Sequence, residues 1–239
     1  MPHNLTEQPA RRFWIVRQGP TSRSFHRVGE LEAREDGEFR FRYLPDAPTA
    51  PNFRPLAAFP ELDREYRSDD LFPYFSNRIM SARRPDFDAH LSALGLTRED
   101  WTPLELLARS AGGRATDTIQ VVSEPVVDDD GLERLVFPVS GVRWIPGASE
   151  RIARLASDQP LRIRAEPDNP FDCRALLLDA ASDEPVGWIP GYLLDYVHKH
   201  MERGATVAAF VEQANGPETP SHIRLLCRLE VRPGVERRA

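Results

Sequence analysis

Seven consecutive residues carry the densest chemistry in the chain: Glu166-Pro167-Asp168-Asn169-Pro170-Phe171-Asp172. Two prolines restrict the backbone and shrink the unfolded ensemble. Asp168, Asn169 and Asp172 are side chains of the kind that bond nearby backbone groups in turns. Phe171 is an aromatic ring set in that polar stretch. A loop so restrained can hold polar groups and one ring in fixed positions, which is what ligand recognition asks of a loop. The same residues also describe a well-capped hairpin turn with Phe171 tucked into the core. Both readings stand on the sequence.

Other reactive residue types do not assemble. His198 and His200 are two apart on an expected helix, so they point to different faces; a two-histidine metal pair needs a spacing of three or four. They read as solvated surface residues. Cys173 and Cys227 are the only cysteines. They give no zinc framework and read as buried free thiols in separate apolar strands. Asp128-Asp129-Asp130 has no second carboxylate cluster at calcium-loop spacing and reads as solvated linker. Gly112-Gly113-Arg114 follows a helix instead of preceding one, so it reads as a helix C-cap and not as a phosphate turn. No nucleophile elbow, P-loop or kinase signature appears. The expectation is a protein that is not an enzyme, with no metal or cofactor.

The elements that must position the loop follow from hydrophobic period. Leu161 to Ala165 and Cys173 to Leu178 read as the strands flanking it. Leu135 to Val142 precedes them, then Gly141-Val142-Arg143-Trp144 and a short helix over Glu150 to Leu155 with Ser149 as its cap. Val186-Gly187-Trp188-Ile189-Pro190 reads as a strand and Tyr192 to Met201 as an amphipathic helix ending at Gly204. Thr206 to Val211 and Ile223 to Val231 close the set. Short strands, tight turns and two small helices suggest a small, partly open β-barrel over 133–233.

Before it, residues 1–10 read as a disordered lead. Residues 11–122 read as a separate α+β domain, and 123–132 as an acidic linker. Phe13 to Val16 and Phe25 to Leu31 are expected strands, with Gly29 at a bulge or close approach. Phe39, Phe41 and Tyr43 alternate with Arg40 and Arg42, the period of a half-buried strand. Pro45 to Pro60 reads as an extended crossing segment. Asp69 or Asp70 could cap a helix running to Ser81, with Leu71, Tyr74, Phe75, Arg78 and Ile79 on one core-facing side. Pro85 opens a second helix that ends near Gly95. Thr102-Pro103-Leu104-Glu105 is a capping-box signature for a third. Asp117 to Val122 returns as a strand.

The second domain resembles a HIRAN domain. The resemblance rests on Gly141-Val142-Arg143-Trp144, on Glu166 to Asp172 followed by Ala175, and on Val186-Gly187-Trp188-Ile189-Pro190. It implies an OB-like β-barrel that grips the 3′-hydroxyl end of single-stranded DNA. By the same resemblance Arg143 stands near the strand end and Trp144 stacks on a terminal base. Asn169, Phe171 and Asp172 form the end-binding loop, with Asp172 accepting from the hydroxyl, and Trp188 lines the pocket. Pro190 and Gly191 stand where DNA-gripping members tend to carry a basic residue. The first domain resembles the N-terminal subdomain of HipA-type toxin kinases through Gly29-Glu30-Leu31, Phe39 to Pro45, Arg54-Pro55-Leu56 and Tyr74-Phe75-Ser76-Asn77-Arg78. That resemblance implies a protein partner.

The totals constrain these readings. The 239 residues suffice for two modest domains. No run approaches a membrane span and the start lacks a signal-peptide core, so a cytoplasmic protein is expected. The net charge of −6 does not advertise nucleic-acid binding. Lys199 is the sole lysine, so nearly every cation is an arginine, the residue suited to planar phosphate contacts. Two functions remain: a single-stranded DNA binder, or a protein-interaction regulator, antitoxin-like, whose barrel has no DNA role. A local patch of Arg143, Arg162 and Arg164 would serve the first.

Overall fold

The computed structural model describes residues 10–19, 24–112 and 118–234. The expected lead and Gly113-Arg114 therefore lie outside the described residues, apart from Ala10. The described residues form two antiparallel sheets and five helices, the α+β class expected, in two compact units.

The first unit is a five-stranded sheet. Its strands are β1 (Arg11–Gln18), β2 (Phe25–Ala33), β3 (Phe39–Tyr43), β4 (Tyr66–Ser68) and β5 (Ile119–Ser123), in the order β4-β3-β2-β1-β5. The period-two pattern of β3 is realised: Phe39, Phe41 and Tyr43 are buried, whereas Arg40 and Arg42 turn outward onto Glu38 and Glu30. The bulge expected near Gly29 is present, since the β1–β2 register slips between Ile15 and Val16. A Cβ at Gly29 would lie 2.8 Å from the Phe41 ring and 2.9 Å from the Arg42 carbonyl oxygen, so only glycine fits.

Helices α1 (Pro73–Ser76) and α3 (Pro103–Arg109) belong to this unit. Thr102 caps α3 by accepting from the Glu105 backbone N–H at 3.1 Å, and Pro103 sits in its first turn. The helix expected from Asp69 or Asp70 to Ser81 shrinks to the single turn of α1. Neither aspartate caps it; its N-cap is Phe72, and the Asp70 N–H bonds the Ser68 hydroxyl. The stripe nevertheless packs as expected: Phe75 lies in the core with Leu71, Tyr74 and Ile79 against it. Arg78 departs from the stripe by bonding the carbonyls of Tyr74 and Gly112, each at 3.1 Å.

Tyr43 pins the crossing segment. Its hydroxyl donates to the Phe59 carbonyl at 2.8 Å and accepts from the Leu56 N–H at 2.6 Å. Burial pushes the phenol up to about 12, opposed by the Leu56 bond. A raised pKa favours the protonated form in the fold. Its stabilisation is therefore complete below the ordinary value of 10.0 and is lost as pH rises through about 12. Tyr43→Phe strands both backbone partners, and the expected cost is about 1–3 kcal/mol in a urea titration at pH 7. The variant should also lose less stability than the wild type between pH 10 and 12. An unchanged midpoint would mean that water replaces the hydroxyl.

The second unit holds β6 (Val126–Val127), β7 (Glu133–Pro138), α4 (Ala148–Ile152), β8 (Pro160–Ala165), β9 (Leu176–Asp179), β10 (Pro185–Trp188), α5 (Gly191–Glu202), β11 (Thr206–Ala214) and β12 (Leu225–Arg232). The sheet order is β10-β9-β8-β11-β12-β7-β6. A bridge between Ser140 and Trp188, with both N–H···O bonds at 2.9 Å, joins the chain just beyond β7 back to β10. Six strands thus make a closed ring, with β6 as an outer hairpin strand. Buried side chains such as Phe137, Leu178, Val186, Val211 and Leu229 fill it.

Several expectations change here. Residues 88–101, assigned to the first domain on sequence, group with the second unit. They carry most of α2 (Phe87–Ala93), and Asn215 Nδ2 bonds the Ala93 carbonyl at 2.8 Å. The acidic triplet is not free linker but the tip of the β6–β7 hairpin. Asp128 accepts from the N–H groups of Asp130 and Leu132 and pairs with Arg134 at 2.7 Å. Ser149 does not cap α4, whose N-cap is Gly147; its hydroxyl accepts from Arg224 at 2.7 Å. Among the described residues no helix is long and apolar enough to cross a membrane.

Candidate nucleic-acid interface

The loop between β8 and β9 is stiff for the reasons its residue types suggest. Asn169 Oδ1 accepts from the backbone N–H of Phe171 at 3.0 Å and of Asp172 at 3.3 Å. Its Nδ2 donates to Glu166 Oε2 at 2.6 Å. The Asp172 Oδ1 accepts from the Arg174 N–H at 2.8 Å, with the Arg174 guanidinium 3.9 Å away. Backbone bonds from Glu166 N–H to Ala175 O and from Ala175 N–H to Asp172 O, both 2.9 Å, seal the loop base. These bonds satisfy the turn without using the Phe171 ring. That ring is 76% exposed, which overturns the reading of a ring tucked into the core.

A second exposed ring stands on the turn after β7. Gly141 opens it with φ of 74°, and a 3-10 turn over Val142–Trp144 follows. Val142 is buried and anchors the turn, while Trp144 is 70% exposed with the Arg143 guanidinium 4.6 Å from its ring centre. Stacking on such an exposed ring face suits any nucleobase.

Trp188, half-buried on β10, joins the two. Its Nε1 donates to Glu166 Oε2 at 2.7 Å. The edge of its six-membered ring fills the place of a Cβ at Gly141, where Cζ3 would be 2.6 Å away. The sequence-derived candidates therefore fall into one connected system: Asn169, Phe171 and Asp172 on one loop, Arg143 and Trp144 on another, Trp188 touching both.

Sequence reasoning placed Glu166, Gly141 and Gly187 in its motifs without giving them a role in the site, and did not single out Arg174. A glutamate at a strand end reads as solvated until its partner, 22 positions away, is known. The glycines beside Val142 and Trp188 were the available signal, since a glycine near an aromatic permits close packing. Arg174 bonds Asp195 at 2.8 Å, which raises its pKa, and its carbonyl meets His198 at 2.9 Å.

The expected basic patch is reduced. Arg164 forms a two-bond pair with the buried Asp179 at 2.8 and 3.1 Å, and that pairing raises its pKa. Arg143 and Arg162 remain exposed. Cys173 is exposed, not buried; Cys227 is buried, and burial pushes its thiol pKa up. His198 and His200 are half-buried, not fully exposed: His200 lies 4.5 Å from the Tyr196 ring and 3.8 Å from Glu133. Tyr196 donates to that carboxylate, and burial followed by this bond raises the phenol pKa. No group of three metal-ligating side chains occurs among the described residues.

No family model and no curated protein matches the chain. Similar solved structures include a protein from Lactobacillus plantarum, 16% identical with a TM-score of 0.35 over 44% of this chain and 100% of that one. They also include the HIRAN domain of human HLTF, 16% identical with a TM-score of 0.33 over 43% of this chain and 78% of that one.

Proposed function

We propose that the second unit is a HIRAN-like module that binds single-stranded DNA at a 3′-hydroxyl end, without catalysis, metal or cofactor. The observation that carries this reading is the pair of exposed rings, Trp144 and Phe171, on two loops that share Trp188 as their support. Each ring offers a stacking face to a base of any sequence. Asp172 is the group for the terminal hydroxyl. The bond from the Arg174 N–H and the nearby Arg174 guanidinium both meet Oδ1, and on this reading Oδ2 accepts from the hydroxyl. A terminal phosphate would bring like charge to the same carboxylate.

The test is fluorescence anisotropy with two labelled oligonucleotides, one ending in a 3′-hydroxyl and one in a 3′-phosphate, at low and moderate salt. Tighter binding of the hydroxyl end, lost in Asp172→Ala, is expected. Equal affinity for both ends would remove end recognition, and no binding at low salt would remove the DNA reading.

A second reading has its own observation. Residues 139–233 carry 11 Lys and Arg against 13 Asp and Glu, a net of −2, and Arg164, Arg174 and Arg228 are each paired with carboxylates. Such a surface neutralises few phosphates. On this reading the protein is an interaction regulator, and its first unit, resembling the HipA N-terminal subdomain, docks on a kinase partner. Absence of oligonucleotide binding together with co-purification of a kinase from the native host would favour it.

A further inference from the structure

We infer that Glu166 is the positioning residue of this site, a single carboxylate that sets the presentation of both exposed rings. The inference rests on the binding reading above, but its geometric part can be tested without it. Both donors reach one oxygen: Asn169 Nδ2 at 2.6 Å and Trp188 Nε1 at 2.7 Å from Oε2. Glu166 is itself fixed by its backbone, which donates to Ala175 O at 2.9 Å and accepts from Asn169 N–H at 3.0 Å.

The first arm decides which way the Asn169 amide faces. With Nδ2 committed to Glu166, Oδ1 must turn toward the N–H groups of Phe171 and Asp172. A flipped amide would set its NH₂ against the N–H groups of Phe171 and Asp172, and its oxygen against the Glu166 carboxylate. Glu166 thereby fixes the backbone that carries the Phe171 ring and the Asp172 carboxylate. The second arm holds the Trp188 indole in the place under Gly141, and Gly141 opens the turn that carries Arg143 and Trp144. Glu166 acts through Asn169 and Trp188, whose bonds to it reach the two loops. Because one oxygen serves both arms, ordering of either loop favours ordering of the other.

The chemistry separates substitutions sharply. A glutamine carbonyl oxygen can occupy the same place and accept from both donors, while alanine offers no acceptor. With the full chain and a fluorescein-labelled oligodeoxythymidylate ending in a 3′-hydroxyl, Glu166→Ala should bind about tenfold or more weaker, the scale of losing one stacked base. Glu166→Gln should stay within about threefold, since a neutral acceptor weakens the bonds without removing them. In two-dimensional NMR the Trp188 indole N–H, assigned with Trp188→Phe, should move in both variants. In Glu166→Ala the amides of Val142 to Trp144 and of Phe171 and Asp172 should move together.

Wild-type affinity in Glu166→Ala, or shifts confined to the 166–172 loop, would overturn the inference. If the wild type binds no oligonucleotide, the DNA reading fails and the NMR shifts alone decide this one. If Glu166→Ala does not fold, Glu166→Gln decides: a stationary Trp188 indole resonance overturns it.

Discussion

Gly187→Ala will cost the second unit about 2–6 kcal/mol, combining backbone strain of about 1–3 with overpacking of about 1–3. Gly187 sits at φ of 153°, where the β9–β10 register slips. A Cβ there would run into Val139 Cγ1 and lie 2.7 Å from the Ser140 carbonyl oxygen. Ser140 is the residue whose two bonds to Trp188 close the ring of strands. The added methyl must therefore lift the end of β7 off β10, or bend β10 away from it. Either movement breaks the bridge and withdraws Trp188 from beneath Gly141. Gly204→Ala is the control. Its φ is 75° with nothing within 4 Å of the added Cβ, so it incurs only left-handed strain, about 1–2 kcal/mol. Calorimetric melting of both variants measures the difference. Equal melting temperatures would mean that closure of the ring does not depend on the close approach at Gly187.

The same pair of glycines shows what the sequence could and could not convey. Alternation in β3, the Thr102 cap and the stiffness of the 166–172 loop depend on neighbours in the chain, and each was legible. Strand closure depends on Ser140 meeting Trp188, 48 positions on, and periodicity carries no such address. For the same reason the grouping of residues 88–101 with the second unit was not readable from an amphipathic helix. The α1 stripe illustrates a subtler limit. The apolar face was right, yet the helix is a single turn, and Arg78 beyond it bonds the carbonyls of Tyr74 and of the distant Gly112. Exposure of Phe171 could not be read either. A ring in a polar loop fits the core or the surface equally until the loop's own bonds are counted, and here Asn169, Asp172 and the backbone at the loop base supply them without the ring.

Loss of the two rings should lower single-strand affinity by about 1–3 kcal/mol each, and by up to about 6 together, because each removes one stacking face. The salt dependence discriminates this site from a generic basic surface. Arg143 carries Trp144 against its guanidinium, and Arg162 lies exposed on β8, the strand that leads into the loop. Arg164 and Arg174 are held by Asp179 and Asp195. If two cations meet phosphates, a plot of log affinity against log salt should slope at about −1.4, taking about −0.7 per contact on a single strand. Arg143→Gln should flatten that slope by about 0.7. Stacking releases no counterions, so Trp144→Ala and Phe171→Ala should displace the line downward while leaving it parallel. A slope steeper than about −4 would require six or so phosphate contacts and place the strand on another face. Ring variants that changed the slope but not the intercept would assign Trp144 and Phe171 to holding the arginine in place, and the stacking role would be lost.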